Sequence, residues 1–224
     1  MPTRIIDLSH PIHDGMPTFP VAWHPYVEVT QLGRHGIEAR ETRKIVLGTH
    51  TGTHVDAPLH FIPGGSSVDA LPLELLTGPA RLVDLAPWTE KQAFDAAFLA
   101  RALGDEAPVP RLVLRTGFSR FWGTLPYFTR NPFLTADAAQ FLIDRGVRLL
   151  GMDLPQVDSA DHGRGCSPDS PNHRIMLGQG CHFVENLTNL EQLRGPVFEW
   201  IVAPLPLRGG DGATCRSLAI EEDP

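Results

Sequence analysis

The alternation of apolar and polar residues along the chain predicts a series of short strands with three helices set among them. Arg4 to Ser9 reads as a first strand, and Tyr26 to Gly33 alternates well enough to pair with Arg43 to His50 across a Gly33 to Gly36 turn. Ala80 to Leu85, Arg111 to Arg115, Val147 to Met152, Cys181 to Asn186, Val197 to Ala203 and Cys215 to Ile220 are the remaining predicted strands. Thr89 opens a predicted helix with Gln92 completing a capping box, Phe94, Ala97, Phe98 and Leu103 on one side, and Gly104 at the end. Thr135 caps a second helix, which runs to about Arg145 before Gly146. Ser170 caps a third from Pro171 to Leu177, where proline at the first helical position forfeits no hydrogen bond. Leu71 to Leu76 is long enough only for a helical turn.

Three loops stand out. His10 to Pro25 is stiffened by Pro11, Pro17, Pro20 and Pro25 and carries Phe19, Trp23 and His24, an aromatic wall for a pocket or a plug under the domain. Thr116 to Pro132 holds Phe118, Phe121, Trp122, Tyr127 and Phe128, which suits a lid or subunit contact as well as core packing. Pro155 to Pro171 is polar and rich in Asp, Gly and Pro; it reads as mobile surface or as a loop that closes over substrate. No internal repeat or low-complexity segment is visible.

The 224 residues suit one domain spanning 1–224. The formal charge of −7, with no basic stripe, argues against nucleic acid. Cys166, Cys181 and Cys215 form no CxxC pair and read as reduced thiols. No apolar run matches a secretory signal or a membrane span, so a cytoplasmic location without membrane association is expected.

One segment carries more chemistry than the pattern around it requires: His50-Thr51-Gly52-Thr53-His54-Val55-Asp56-Ala57-Pro58-Leu59-His60. Its three imidazoles and its carboxylate all fall at even positions, which an extended chain sends to one face. A helix would turn Asp56 away from His50 and His54, and Gly52 and Pro58 disfavour one. The segment therefore reads as a strand end to His50, a kink at Gly52, a return through Asp56 and a turn at Ala57-Pro58 that presents His60. Buried without a partner, such polar groups would cost about 1–3 kcal/mol each, and a metal ion satisfies them. Imidazole and carboxylate without thiolate suit Zn²⁺, Mn²⁺ or Fe²⁺.

The string His-x-Gly-Thr-His-x-Asp-x-Pro-x-His resembles, without mismatch, the signature of the metal-dependent cyclase-like hydrolases, the family of bacterial kynurenine formamidase and isatin hydrolase type. The resemblance implies an α+β domain of the swivelling β/β/α type, with a mixed curved sheet or partial barrel and outer helices. It also directs attention to His173 and Glu185, twelve positions apart and followed by Asn186-Leu187, as a second metal-binding element. A dinuclear site is then implied, with His50 and His54 on one ion, His173 on the other, and Asp56 and Glu185 shared; a single-ion version stays open. His60 is left to act as general acid and base. Phe19 occupies the place of a pocket-lining Trp in the formamidases, within Pro17-Thr18-Phe19-Pro20, and Phe61 is assigned to the substrate pocket with it.

The expected activity is hydrolysis of a small amide, lactam or ester by water that a divalent metal activates, Zn or Mn, two per chain, with His60 moving the proton. A cyclase or dehydratase of an aromatic polyketide-like substrate would use the same ions to enolise a carbonyl. A binding module built on a structural ion is a third reading. Partners are expected to be a small-molecule substrate and further copies of the chain, as homodimer or homotetramer. His10, His162 and His182 carry no assigned role, Cys166 with His162 makes a poor metal pair, and Arg115 is expected in a structural ion pair.

Overall fold

In the computed structural model, which describes residues 3–105, 109–163 and 165–222, the main strands assemble into one sheet that curls until its ends meet. In chain order the strands are β1 (Thr3–Asp7), β2 (Glu28–Gly33), β3 (Thr42–Val46), β4 (His54–Asp56), β5 (Thr77–Asp84), β6 (Ala93–Phe94), β7 (Arg111–Arg115), β8 (Phe133–Leu134), β9 (Leu149–Met152), β10 (His182–Glu185), β11 (Val197–Pro204) and β12 (Gly212–Glu222). The helices are α1 (His35–Glu38), α2 (Leu73–Leu76), α3 (Ala96–Leu103), α4 (Leu125–Thr129), α5 (Ala136–Asp144) and α6 (Pro171–Gly178). The sheet order is β1-β12-β11-β5-β7-β9-β10-β4, and β4 pairs back onto β12, so the seven strands from β12 to β4 close a barrel. Strands β5, β7, β9 and β10 run parallel; the other pairings of this sheet are antiparallel. This is the mixed, curved α+β sheet with outer helices that the sequence predicts.

Two hydrophobic cores explain why the parallel strands read as nearly unbroken apolar runs. Val113, Leu149 and Val184 point into the barrel, while Leu112, Leu114, Leu150, Met152 and Phe183 point outward to the helices. Leu99 and Leu103 of α3 and Ala138, Ala139, Leu142 and Ile143 of α5 cover that outer face. Trp200 fills the barrel interior, fully buried, with its indole N–H donating to Ser217 Oγ at 2.9 Å. Gly151 leaves room for that ring: a Cβ there would lie 2.6 Å from Trp200 Cη2.

Several local expectations change. The helix assigned to Thr89 starts at Ala96, with Asp95 as the cap that accepts from Phe98 N at 2.7 Å. Thr89 and Gln92 do bond to one another, but Phe133 N donates to Gln92 O and Thr135 N to Phe94 O, so residues 92–94 extend into β6 beside β8. A buried Phe94 makes that pairing worth more than one early helical turn. Thr135 stands at the N-cap of α5, yet its hydroxyl donates to Phe94 O instead of capping. Strand β3 stops at Val46, leaving His50 in a turn, and α1 occupies the link expected to be a simple Gly33 to Gly36 turn. The aromatic loop is a packed layer: Phe118, Tyr127 and Phe128 are buried, in a 3-10 turn and α4. In the 155–171 loop, Val157, Asp158 and Ser159 are buried, so this stretch is anchored where mobile surface was expected. Arg115 makes the expected ion pair, with Asp84 at 2.5 Å. Among the described residues, no helix is long and apolar enough to cross a membrane.

Gly151→Ala drives a methyl group into the Trp200 ring and should cost about 1–3 kcal/mol of stability. The measurement is the urea midpoint at unchanged slope; a midpoint equal to wild type would show that the barrel interior yields freely.

Candidate metal centre

Strand alternation and register assemble the centre. On β4, Val55 points into the barrel, so His54 and Asp56 emerge on the outer face. Antiparallel pairing sets Glu185 of β10 directly opposite His54, and α6 crosses that face to bring in His173. Gly52, at φ +61°, makes the tight turn that carries His50 to the same place. The turn is held by Thr53, whose hydroxyl donates to Asn186 O at 2.7 Å and accepts from His10 N at 3.0 Å. A 3-10 turn at Pro58–His60 then stacks His60 on His50, ring centroids 3.8 Å apart. All six candidate residues, His50, His54, Asp56, His60, His173 and Glu185, therefore gather in one site, although the shared strand face predicted for the four motif positions holds only for His54 and Asp56.

Two groups of ligand atoms overlap at Asp56: His50, His54 and Asp56, and Asp56, His173 and Glu185; a third, His50, His60 and Asp211, shares His50. His54 Nε2 lies 3.2 Å from Asp56 Oδ1 and 3.5 Å from Glu185 Oε2; His173 Nε2 lies 3.6 Å from Asp56 Oδ2 and 3.4 Å from Glu185 Oε1. Ligands at about 2.1 Å around one tetrahedral ion stand about 3.4 Å apart, so these four separations fit ions lying between them, while His50 Nδ1 and Asp56 Oδ1, 2.7 Å apart, share a hydrogen bond whose proton a cation would replace. Asp56 and Glu185 each turn one oxygen toward His54 and the other toward His173. Glu185 Oε1 is buried without a hydrogen bond, an orphaned acceptor facing the place a cation would fill.

Each histidine of the two groups is also held from behind. His54 Nδ1 donates to Gly52 O at 2.9 Å, His173 Nδ1 to Asp158 Oδ2 at 2.6 Å, and His50 Nε2 to Asp211 Oδ2 at 2.8 Å. Such outer bonds fix the ring and its tautomer and make the inner nitrogen a better ligand. Asp158 also accepts from Asn172 N and His173 N, performing the capping expected of Ser170. The sequence reading misses both Asp158 and Asp211. Each is a lone aspartate in a loop, with no spacing to set it apart from Asp161 or Asp169.

The electrostatics favour positive charge. Burial opposes protonation of His50, but Asp56 and Asp211 outweigh it and carry its pKa up to about 10. Burial likewise opposes a charge on His173, yet Asp158, Asp56 and Glu185 hold its pKa well above the usual range. Asp56, despite its burial, is kept well below the ordinary carboxylate value by His50, His60 and His173. Burial and the neighbouring Asp56 push Glu185 upward. Without a cation, protons supply the compensating charge.

The cluster forms part of the wall of a cavity of about 710 Å³ whose apolar side includes Phe19, Trp23, Phe61, Trp122 and Phe128. Phe19 meets Phe128 edge-on at 5.8 Å, and Phe61 lies 4.6 Å from the His173 ring. Trp122 and Phe128 come from the aromatic loop, where the sequence offered aromatic density but no direction. His10 stacks on Trp122 at 4.0 Å, and burial lowers its pKa to about 4, so it supports that wall as a neutral ring. Cys166 and His162 join none of the metal-capable groups among the described residues.

Comparison with known proteins places the arrangement in context. A family model described as putative cyclase matches residues 6–159. Kynurenine formamidase of Bacillus cytotoxicus is 31% identical over 218 residues, covering 95% of each chain. Isatin hydrolase A from Labrenzia aggregata, solved with benzyl benzoate, superposes with a TM-score of 0.88 at 26% identity, covering 99% of this chain and 94% of that one. The corresponding enzyme from Ralstonia solanacearum gives 0.86 at 26% identity, covering 98% and 92%. Fold and sequence similarity extend along nearly the whole length, and the chain belongs to the putative cyclase family.

Proposed function

We propose that this chain is a metal-dependent hydrolase of a small amide, formamidase-like, whose substrate carries an aromatic ring on the carbonyl or the nitrogen side. The observation that carries the reading is the pair of ligand groups sharing Asp56 and Glu185 beside an aromatic cavity. His50, His54 and Asp56 would hold one divalent cation, and Asp56, His173 and Glu185 a second, Zn or Mn. Bound there, the cations supply water of pKa about 7 and a Lewis acid for the carbonyl oxygen. Phe19, Phe61, Trp122 and Phe128 seat the aryl group and exclude bulk water, which orients the scissile bond toward the carboxylates. His60 takes the proton from water and returns it to the leaving nitrogen, so the amine departs neutral.

The formamidase and isatin hydrolase relatives support amide cleavage. The family's description keeps a cyclase or dehydratase as the second reading; it requires proton abstraction beside a carbonyl and releases no amine. A single domain over 1–224 and a cytoplasmic location complete the proposal, the latter supported by three cysteines without a disulfide. A homodimer or homotetramer is supported by the β2–β3 ribbon, which exposes Tyr26, Leu32, Ile37 and Ile45 around a two-stranded sheet too small to stand alone.

The deciding experiment is metal analysis of protein purified without added metal, with a screen of aryl formamides, lactams and lactones. Amine release abolished by chelation and restored by Zn²⁺ or Mn²⁺ is expected; turnover without amine or acid release would favour the cyclase. His60→Ala should lower kcat about 10²–10⁴-fold with cation content unchanged, and full activity in that variant would remove His60 from the reaction. Asp158→Asn should weaken cation affinity about 10–100-fold, read by competition with a chelating dye. A cation must displace the His50 proton, which the site holds up to about 10. Apparent affinity should therefore drop about tenfold per unit as pH is lowered from about 8 to about 6, and a flat profile would contradict this assignment of His50.

A further inference from the structure

We infer that Asp211 is a positioning residue that ties His50, in the cation site, to His60, the base, through one carboxylate oxygen. The inference rests on the hydrolase reading above and extends it to a residue outside both sequence motifs. Asp211 Oδ2 stands 2.8 Å from His50 Nε2 and 3.3 Å from His60 Nδ1, while the two rings stack at 3.8 Å with 30° between their planes. One oxygen therefore addresses both imidazoles on the nitrogens not needed for chemistry.

The tautomers follow from this. A carboxylate only accepts, so His50 Nε2 carries hydrogen toward Asp211, and the same oxygen, 3.3 Å from His60 Nδ1, favours the His60 tautomer with hydrogen on that nitrogen. His50 Nδ1, 2.7 Å from Asp56 Oδ1, is then the nitrogen turned toward the cation group, and His60 Nε2 is the one with a lone pair for the proton of water. Without Asp211 the His60 ring could present either nitrogen, and only one of those states is competent as a base.

The fold places Asp211 firmly. Its carbonyl accepts from Ala57 N at 3.0 Å, Gly210 O accepts from Val68 N at 2.8 Å, and Gly212 begins β12 opposite Asp56. A Cβ at Gly212 would lie 2.7 Å from His50 Cε1, so a glycine lets this backbone approach the imidazole. The barrel closure of β12 onto β4 is thus what delivers the carboxylate to the histidine turn. His50, His60 and Asp211 also lie close enough to hold an ion themselves. Both carboxylates stand at hydrogen-bond distance from His50, Asp211 at 2.8 Å and Asp56 at 2.7 Å, but Asp56 is fully buried and shared with His54 and His173, whereas Asp211 is part-exposed, so the cation belongs on the Asp56 side and the hydrogen bond on the Asp211 side.

The test compares Asp211→Asn, Asp211→Glu, His60→Ala and the Asp211→Asn/His60→Ala double variant, using Zn²⁺ or Mn²⁺ and an aryl formamide that the wild type cleaves. Asp211→Asn should weaken cation affinity about tenfold and lower kcat at saturating cation about 10–100-fold, with KM within about threefold. In the His60→Ala background the same change should cost no further kcat, because Asp211 acts on turnover through His60. Asp211→Glu, which keeps a carboxylate, should regain part of kcat, and it serves as the readout if the Asn variant fails to fold. Losses that multiply in the double variant would overturn the inference, as would wild-type kcat or wild-type cation affinity in Asp211→Asn. A wild type that binds no cation and cleaves no amide overturns the hydrolase reading along with it; an active wild type matched by Asp211→Asn overturns the inference alone.

Discussion

Two buried carboxylates, Asp56 and Glu185, stand side by side on neighbouring strands, and the rest of the site follows from what that costs. Removing such groups from water as anions costs several kcal/mol each unless positive charge accompanies them. The surrounding histidines, the raised His50 and His173 and the upward shift of Glu185 are all responses to that demand. Protons meet it partly. The orphaned Glu185 Oε1 and the separations between His54, His173 and the two carboxylates are better suited to divalent cations, which bring more charge to the same space.

The barrel makes this arrangement rigid. His54, Asp56 and Glu185 are short side chains on paired strands whose alternate residues, Val55 and Val184, are locked into the apolar interior. A shift of either strand by one residue would send the carboxylates into the barrel and the valines into the site. Packing of Trp200 against Gly151 and closure of β12 onto β4 therefore act on function as well as on stability, by fixing register. Behind this face, Asp211 reaches in from the loop that the same closure holds in place, and Asp158 from a loop tied to Asn131 and Leu134.

The aromatic wall answers a different need. Phe19, Phe61, Trp122 and Phe128 come from three separate segments, and two of them belong to a layer that also packs the outer core. A cavity built this way is preformed, so an aryl group can enter with little reorganisation, and the low polarity beside the cluster strengthens its electrostatics. The neutral His10 under Trp122 shows the same economy, a polar residue used as a flat support.

The amino-acid sequence by itself determined the strands with apolar runs, the histidine turn with its kink at Gly52, and the residue types able to hold a cation. These are local matters, settled by side-chain period, by glycine at positive φ, and by the chemistry of imidazole and carboxylate. His173 and Glu185 could be paired with that turn only through family likeness, since twelve residues of spacing imply no contact. The start of α3 was misread because Thr89 and Gln92 do form their local bonds while Phe94 gains more by pairing with β8. Asp158 and Asp211 were invisible because an aspartate becomes an anchor only when the fold brings it within hydrogen-bond reach of an imidazole, Asp158 at the first turn of α6 and Asp211 just before β12. Tertiary structure alone decided those contacts, because the packing that sets the 155–171 loop against α6 and the ring closure between β4 and β12 that delivers Asp211 depend on the whole core at once and on no single stretch of chain.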